Sequence, residues 1–150
     1  LDFLAHALAT AIETKCLQSQ AGFDAVLALF DSTISFHAQY QQNRTLGALL
    51  ELLLTHTDNP RALGWVAQTL RGRLAKMGHL ANGATADISQ TIPKLWDLEL
   101  TALSVDGLNP SPELVNLLSQ CRLTARTVSD QLNNLFFSHS DDSQQSVGAS

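Results

Sequence analysis

The chain has 150 residues, close to the usual size of one domain, and its formal net charge is −5. Hydrophobic residues make up 45% of it and charged residues 15%, a composition that argues against disorder of the whole chain. The acidic balance argues against a general nucleic-acid binder. No apolar run approaches the roughly 18 residues of a membrane span. We therefore expect a folded protein with neither nucleic acid nor a membrane as its partner.

The cysteine content and the start of the chain indicate a cellular setting. Cys16 and Cys121 are too few for the disulfide framework of a small secreted fold. The sequence also lacks the basic segment and apolar core of a secretory signal. We predict a reducing, cytoplasmic location. Because Leu1 stands within an apolar pattern and no Met precedes it, we interpret the chain as a piece of a longer protein.

Apolar residues recur at spacings of three and four, which predicts helices along almost the whole chain. In the first half these helices cover residues 1–19, 23–43 and 46–55. A break is expected at Ala21-Gly22, with the glycine as a cap. His37 continues the apolar face of the second helix, so a packed core histidine is favoured over a catalytic base. The leucine-rich third helix should be buried on more than one side.

Residues that commonly begin or end helices divide the second half of the chain into separate elements. Asp58 or Asn59 followed by Pro60 predicts a helix that begins at the proline and ends near Gly78. A loop over 79–86 precedes a helical pattern over 87–104, in which Pro93 marks either a kink or the helix start. Ser111 and Pro112 predict the beginning of the last helix.

The last helix has the most regular apolar pattern. Its inward positions alternate four and three residues apart: Leu114, Leu118, Cys121, Ala125, Val128, Leu132 and Leu135. Such a seam is typical of packing against another helix. We therefore predict an all-α fold, an antiparallel bundle of about six helices without any strand. It forms one domain over 1–138, followed by a disordered tail over 139–150.

Residues that could carry chemistry lack the spacing that chemistry needs. None of the five histidines belongs to a His-x-x-x-His or Glu-x-x-His pair, and Asp2 with His6 supplies too few ligands for a metal. Neither cysteine has a nearby His or a helix N-terminus that would make it a catalytic thiol. Phosphate-binding glycine loops are absent from the sequence. We expect no metal, no cofactor and no catalytic residue in this chain.

Charged side chains near apolar faces predict ion pairs. Asp31 and Glu51 stand beside buried positions, and Arg61 and Arg44 are their expected partners because an unpaired buried charge is costly. The helix after Pro60 carries four basic residues, namely Arg61, Arg71, Arg73 and Lys76. A solvated or domain-facing surface is favoured there over one that contacts anions.

Three stretches resemble a known family. The first runs from Asp31 to Tyr40 with the sequence DSTISFHAQY, and the second is a leucine run over 50–54 followed by Asp58-Asn59-Pro60-Arg61. A weaker third stretch covers 123–137 and ends in a Leu-Phe-Phe run. Over residues 24–138 the chain resembles the bacterial alpha-E domain, an all-helical domain of unknown function.

The resemblance implies a biological setting and a set of motif residues. Alpha-E domains occur beside, or fused to, circularly permuted ATP-grasp proteins and transglutaminase-like proteins, which implies a role near amide-bond formation or peptide processing. By this resemblance the matched motif residues are Asp31, Tyr40, Asn59, Pro60 and Arg61. Among them we predict ligand-binding positions at Asp31, Tyr40 and Arg61, and a structural motif at Asp58, Asn59 and Pro60. The chain departs from the family at 37–39, where an arginine run is common, and the family's leading glutamates would lie upstream. It therefore resembles the C-terminal part of an alpha-E region.

Three functions remain open at this point. The first is a non-catalytic helical accessory domain that docks on other domains of the same chain, on a neighbouring ATP-grasp protein, or on a second copy as a homo-oligomer. The alternative is part of a ligand-binding or catalytic site at which Asp31, Tyr40 and Arg61 converge. A helical scaffold for nucleic acid has support only from the basic helix.

Overall fold

The computed structural model describes residues 1–80, 83–106 and 109–148 of the chain. The helices in these ranges are α1 (Asp2–Glu13), α2 (Gln20–Leu29), α3 (Thr33–Tyr40), α4 (Leu46–Leu50), α5 (Leu63–Lys76), α6 (Ala84–Gln90) and α7 (Pro112–Gly148). A two-stranded antiparallel hairpin pairs β1 (Ser104–Asp106) with β2 (Asn109–Pro110). The all-α class is confirmed. The prediction that the chain contains no strand is wrong at this short hairpin.

One cluster of buried apolar side chains receives residues from all seven helices. These include Leu8 of α1, Phe23 of α2, Phe36 of α3, Leu49 of α4, Leu63 of α5, Ile88 of α6 and Leu118 of α7. Helices with one apolar face become stable when those faces are buried against each other, which is why the periodic pattern produces a bundle. The division into a domain over 1–138 and a tail stays a prediction.

The first helix is shorter than predicted, and the chain turns before α2. After Glu13 the backbone of Lys15 is left-handed, with φ of 57°. α2 begins after Ser19, whose hydroxyl accepts a hydrogen bond from the Gly22 N–H at 3.0 Å. The break predicted at 21–22 therefore lies inside α2. Glycine is required at 22 because a Cβ there would overlap the carbonyl oxygen of Cys16.

The single helix predicted over 23–43 is in fact two helices, α2 and α3. The break is at Asp31, whose φ is 48°, and the next N–H, that of Ser32, bonds to the Leu27 carbonyl at 2.8 Å. α3 packs back onto α2 through Phe23 and Phe36, whose ring centroids lie 5.3 Å apart in an edge-on arrangement. Local periodicity does not reveal such a change of direction.

The turn at residue 31 also moves two side chains out of the core. Ile34, whose spacing of four from Phe30 and three from His37 places it on the same predicted apolar face, is 86% exposed. His37 is exposed as well, and its Nδ1 lies 3.1 Å from the Gln41 carbonyl oxygen. The prediction of a packed core histidine is therefore wrong, because the apolar stripe of α2 does not continue through the break.

The leucine-rich segment is buried as predicted. α4 continues as a π-helical turn over Glu51–Thr55, and Leu52, Leu53 and Leu54 are all buried. Three consecutive residues point in clearly different directions around a helix, so burial of all three requires neighbours on more than one side. The next helix begins later than predicted, at Leu63, because Pro60 lies in an exposed turn outside the helix.

The helical pattern predicted over 87–104 is interrupted. α6 starts at Ala84, inside the predicted loop over 79–86, and ends at Gln90, before Pro93. 3₁₀ turns and the hairpin follow. Arg71 of α5 holds this end of α6, since its Nη1 donates to the carbonyl oxygens of Ser89 at 3.1 Å and Ile92 at 2.8 Å. Residues 81–82 of the predicted loop lie outside the described part of the chain.

α7 begins as predicted, and its seam packs on α1. The Ser111 hydroxyl accepts a hydrogen bond from the Leu114 N–H at 3.3 Å, which confirms the predicted cap. Within the seam, Leu114, Leu118, Cys121 and Val128 are buried. The helix continues to Gly148, so the backbone of 139–148, predicted to be a disordered tail, is helical. Extending an existing helix by one residue is far easier than nucleating one. Residues 149–150 lie outside the described ranges.

Candidate functional site

The two motif stretches meet in the folded chain. Arg61 Nη2 lies 2.6 Å from Asp31 Oδ2, so Asp31 is paired with one of the two arginines expected as its partners. Directly beside it, Asn59 Nδ2 donates a hydrogen bond to the Ser32 hydroxyl at 3.1 Å. The side chains of Arg61 and Asp31 are 51% and 76% exposed, so the pair lies on the surface, outside the core. Asn59 and Arg61, which flank Pro60 in one motif, therefore bind the adjacent residues Ser32 and Asp31 of the other.

Asn59 is the buried centre of this junction. Its residue is only 9% exposed, and its Nδ2 also donates to the Leu52 carbonyl at 3.2 Å. Its Oδ1 accepts the N–H of Arg61 at 3.2 Å, which closes the turn that contains Pro60. Asn59 therefore joins three chain segments and does not cap α5.

Tyr40 has a different partner. Burial raises the pKa of its hydroxyl above the ordinary range, and a hydrogen bond to Glu51 together with the negative charge of Glu51 raises it further. Its ring lies 5.2 Å from that of Phe36. The structure thus brings Asp31 and Arg61 into contact and places Tyr40 against Glu51.

Arg44 and Arg61, the expected partners of Asp31 and Glu51, both bind aspartates, so Glu51 is not paired as expected. Arg44 binds Asp24 of α2 through two contacts, Nε to Oδ1 at 3.0 Å and Nη2 to Oδ2 at 3.3 Å. Glu51 is exposed on the π-helical turn and interacts with the Tyr40 hydroxyl. The leucine run is buried on more than one side, as predicted, but residue 51 lies on its exposed side, so Glu51 does not need a buried ion pair.

A polar cleft of about 470 Å³ opens beside Glu51. The residues that line it are Glu51, Thr55, His56, Thr57, Asp58, Gln68 and Trp96. His56 Nδ1 accepts the Asp58 N–H at 3.1 Å. Local sequence does not predict this cleft, because Trp96 comes from a segment nearly forty residues away from the other lining residues around His56. The grouping of Thr55, His56 and Asp58 between two helices was the one signal in the sequence.

The basic residues of α5 do not form one surface. Arg71 binds backbone carbonyls at the end of α6, whereas Arg73 and Lys76 are exposed.

A second pair of contacts joins α1 to α7. Asp2 of α1 forms ion pairs with Arg122 at 3.4 Å and Arg126 at 3.8 Å, both of α7.

The described ranges contain no group of three or more His, Cys, Asp or Glu side chains that could hold a metal ion. Both cysteines are free thiols, and burial raises the pKa of Cys121 to about 11. No helix in the described part of the chain has the length and apolar character needed to cross a bilayer.

An apolar groove of about 490 Å³ separates α1 from α2. We call it the α1–α2 groove, and its lining comprises Phe3, His6, Ala7, Thr10, Ala11, Thr14, Cys16, Gly22, Ala25, Val26 and Leu29. Phe3 is 66% exposed and Leu29 is 56% exposed. Large apolar side chains left open to water in a groove are typical of surfaces that bind another protein.

Comparison with known proteins assigns the family. The Alpha-E family model, described as "a predicted alpha-helical domain with a conserved ER motif", matches residues 1–137. The chain belongs to the Alpha-E family. The match includes the first 23 residues, which the resemblance over 24–138 had left out. In this Alpha-E chain no glutamate is followed directly by arginine. Comparison with curated proteins and with solved structures finds no match.

Proposed function

We propose that this Alpha-E chain is a non-catalytic accessory domain that docks on protein partners through the α1–α2 groove. The observation that carries the proposal is the lining of the groove, which combines small apolar residues with the exposed Phe3 and Leu29. Helices that bind in such grooves insert apolar side chains at spacings of three and four. Covering Phe3 and Leu29 would remove apolar surface from water, which favours association.

The motif residues support a structural role over a catalytic one. Asp31 and Arg61 neutralise each other, and Asn59 uses its amide to join segments of the fold. A ligand at Arg61 would have to compete with Asp31 for the guanidinium. These contacts stabilise the domain on which the groove is built.

The partner that we propose is another domain of the same protein or a neighbouring ATP-grasp protein in the bacterial cytoplasm. The setting that the family resemblance implies supports this choice, as do the free thiols of Cys16 and Cys121. Docking near an ATP-grasp enzyme would give the domain a role in amide-bond formation without chemistry of its own.

A capture experiment tests the docking proposal. The purified domain, immobilised through a tag, should retain the neighbouring ATP-grasp protein, and Leu29→Gln in the groove should weaken capture at least about tenfold. Ile34→Gln is the matched control, because it changes an exposed apolar side chain outside the groove lining. Absence of capture, or equal loss in both variants, would contradict the proposal.

A second candidate function is ligand binding at the polar cleft beside Glu51. The observation that favours it is the pair of carboxylates, Glu51 and Asp58, next to the Trp96 ring, without Lys or Arg among the lining residues. This combination suits an organic ammonium group, such as the amine of an amide-forming substrate. Of the predicted ligand site, Tyr40 belongs here through Glu51, whereas Asp31 and Arg61 bind each other.

Trp96 fluorescence in a Trp65→Phe background tests this candidate. Titration with 1,5-diaminopentane should change the emission, whereas neutral 1,5-pentanediol should not. Glu51→Gln should abolish the response, and Asp130→Asn, which removes one exposed charge from α7, should leave it intact. An equal response to both compounds would rule out recognition of an ammonium group.

A further inference from the structure

We infer that the polar cleft beside Glu51 binds the free amino end of a peptide, through both its ammonium group and its first carbonyl oxygen. The inference rests on the second candidate function, ammonium binding at this cleft, and names the class of ligand that carries the ammonium. It follows from the carboxylates, the histidine and the tryptophan that line the cleft.

Two carboxylates give the cleft a negative side. Glu51 and Asp58 are exposed, and neither forms an ion pair within the described part of the chain. The Tyr40 hydroxyl is hydrogen-bonded to Glu51, but a carboxylate has two oxygens and can accept further hydrogen bonds. A protonated amine brings a positive charge and several N–H donors, so it suits these acceptors.

His56 adds a hydrogen-bond donor to the cleft. The Asp58 N–H donates to His56 Nδ1 at 3.1 Å, so Nδ1 carries no hydrogen and the neutral ring has its hydrogen on Nε2. Among the described residues Nε2 has no partner. The half-buried ring lines the cleft, and its N–H is therefore available to an acceptor oxygen of the ligand.

These groups match a ligand that has a cation and a neutral acceptor close together. At the amino end of a peptide, only the Cα and the carbonyl carbon separate the ammonium nitrogen from the first carbonyl oxygen. His56 and Asp58 are two residues apart and joined by a hydrogen bond, so a donor and a carboxylate are neighbours in the cleft as well. A simple alkylamine would leave the His56 N–H without a partner, which lowers its affinity.

A free amino acid fits this lining less well than a peptide. Its carboxylate would lie beside Glu51 and Asp58, and the lining contains no Lys or Arg to neutralise it. Like charges brought together disfavour binding. In a peptide the same position is a neutral amide. The charge of the lining therefore favours a ligand whose first carboxyl group is already in an amide bond.

Trp96 provides apolar surface for the first side chain of the peptide. It is half-buried, packs against the core cluster and lines the cleft. An apolar side chain placed against the indole would leave water together with it, which favours binding. The cleft volume of about 470 Å³ lies within the range of about 300–1,000 Å³ that is typical of small-molecule sites. The cleft is therefore large enough for a residue such as leucine.

Trp96 fluorescence at pH 7, in the Trp65→Phe background, tests the class of ligand. Leucinamide has the ammonium, the carbonyl oxygen and an apolar side chain, and 3-methylbutylamine lacks only the carboxamide. At this pH most of the leucinamide is charged, because the ordinary pKa of an α-amino group is about 7.7–8.0. Leucinamide should bind at least about threefold more tightly than 3-methylbutylamine. Leucine, with its carboxylate, and uncharged N-acetylleucinamide should leave the emission unchanged where leucinamide saturates it.

Substitution of His56 tests whether the carbonyl oxygen is recognised. His56→Phe keeps an aromatic ring but removes the N–H, so the preference for leucinamide should disappear while both amines still bind. His37→Phe is the matched control, because it changes an exposed histidine outside the cleft lining, and it should keep the preference. Glu51→Gln should abolish the response to both amines. Circular dichroism of each variant establishes that it is folded.

The possible results separate this inference from the function on which it rests. Equal affinities for leucinamide and 3-methylbutylamine, or a preference that persists in His56→Phe, would overturn the inference and leave ammonium binding intact. A response to 1,5-diaminopentane without one to leucinamide would do the same. Leucine that binds as tightly as leucinamide would also overturn it. No response to any of the three amines, by fluorescence and by titration calorimetry, would contradict the inference and the second candidate function together.

Discussion

Asn59 donates a hydrogen bond from its buried side-chain amide to the hydroxyl of Ser32, 27 residues earlier in the chain. The exposed ion pair of Asp31 with Arg61 lies beside it. The two contacts differ in burial, and burial decides which one stabilises the junction more. An exposed ion pair is worth about 0.2–1 kcal/mol, whereas a buried polar group left without its partner costs about 1–3 kcal/mol.

Replacement of Asn59 should destabilise the fold. Asn59→Ala leaves the Leu52 carbonyl and the Arg61 N–H without their partner, so we expect the free energy of unfolding to fall by about 1–3 kcal/mol. Urea unfolding measures it. Asn116→Ala on the exposed face of α7 is the control and should change stability by less than about 0.5 kcal/mol. Equal effects would show that Asn59 does not hold the junction.

The surface ion pair should contribute little. A double-mutant cycle with Asp31→Ala and Arg61→Ala should give a coupling free energy of about 0.2–1 kcal/mol, because both side chains are more than half exposed. The coupling should shrink when salt is raised, since ions screen exposed charges. A coupling well above 1 kcal/mol that is insensitive to salt would mean that the pair is shielded from water.

Two glycines in helices should respond to alanine in opposite directions. Gly22→Ala should lower stability by about 1–3 kcal/mol, because the new Cβ would overlap the Cys16 carbonyl oxygen. Gly72→Ala in α5 has open space around the new methyl group and should raise stability by about 0.5–1 kcal/mol. Thermal unfolding of both variants checks the sign. A stabilising Gly22→Ala would disprove the close approach.

The single tyrosine makes the stability of the fold depend on alkaline pH. The pKa of Tyr40 is raised in the folded state, so the folded chain holds the proton more tightly than the unfolded chain. This contribution is complete below the ordinary tyrosine pKa of about 10 and is lost as the pH rises above it. Urea unfolding as a function of pH should show the loss.

The same tyrosine offers a direct titration. Phenolate absorbance should show Tyr40 ionising above the ordinary pKa, and Glu51→Gln should lower that pKa because a negative charge is removed. Asp24→Asn, which removes a carboxylate that binds Arg44, should leave the Tyr40 titration in place. An unchanged pKa in Glu51→Gln would show that burial alone is responsible.

Several elements of the fold were predictable because short-range rules govern them. The Ser111 cap needs only a hydroxyl three residues before the Leu114 N–H that it accepts. The seam of α7 needs only apolar residues spaced three and four apart. The burial of the leucine run follows from the number of its leucines. The contact that makes the Ser111 cap lies within a few residues along the chain. The α7 seam and the leucine run are buried by the hydrophobic effect, which does not depend on the direction of a contact.

Tertiary contacts decided the breaks between helices. The turn at Asp31 interrupts a continuous apolar stripe, and packing of Phe36 on Phe23 stabilises α3 in its new direction. α6 ends where Arg71 of another helix can bind its last carbonyl groups. Neither partner is near in sequence, so local periodicity could not identify these ends.

The helical class and the apolar faces of this protein follow from its sequence, as does the expectation that Asp31 pairs with Arg61 or Arg44. The tertiary structure alone decided that Asn59 binds Ser32, that Tyr40 faces Glu51, and that α1 and α2 leave a groove open between them. The physical reason is how far apart in the sequence the interacting residues lie. Burial of apolar residues follows from composition and spacing, whereas a hydrogen bond or a groove depends on ångström-scale positions of segments that meet only after folding.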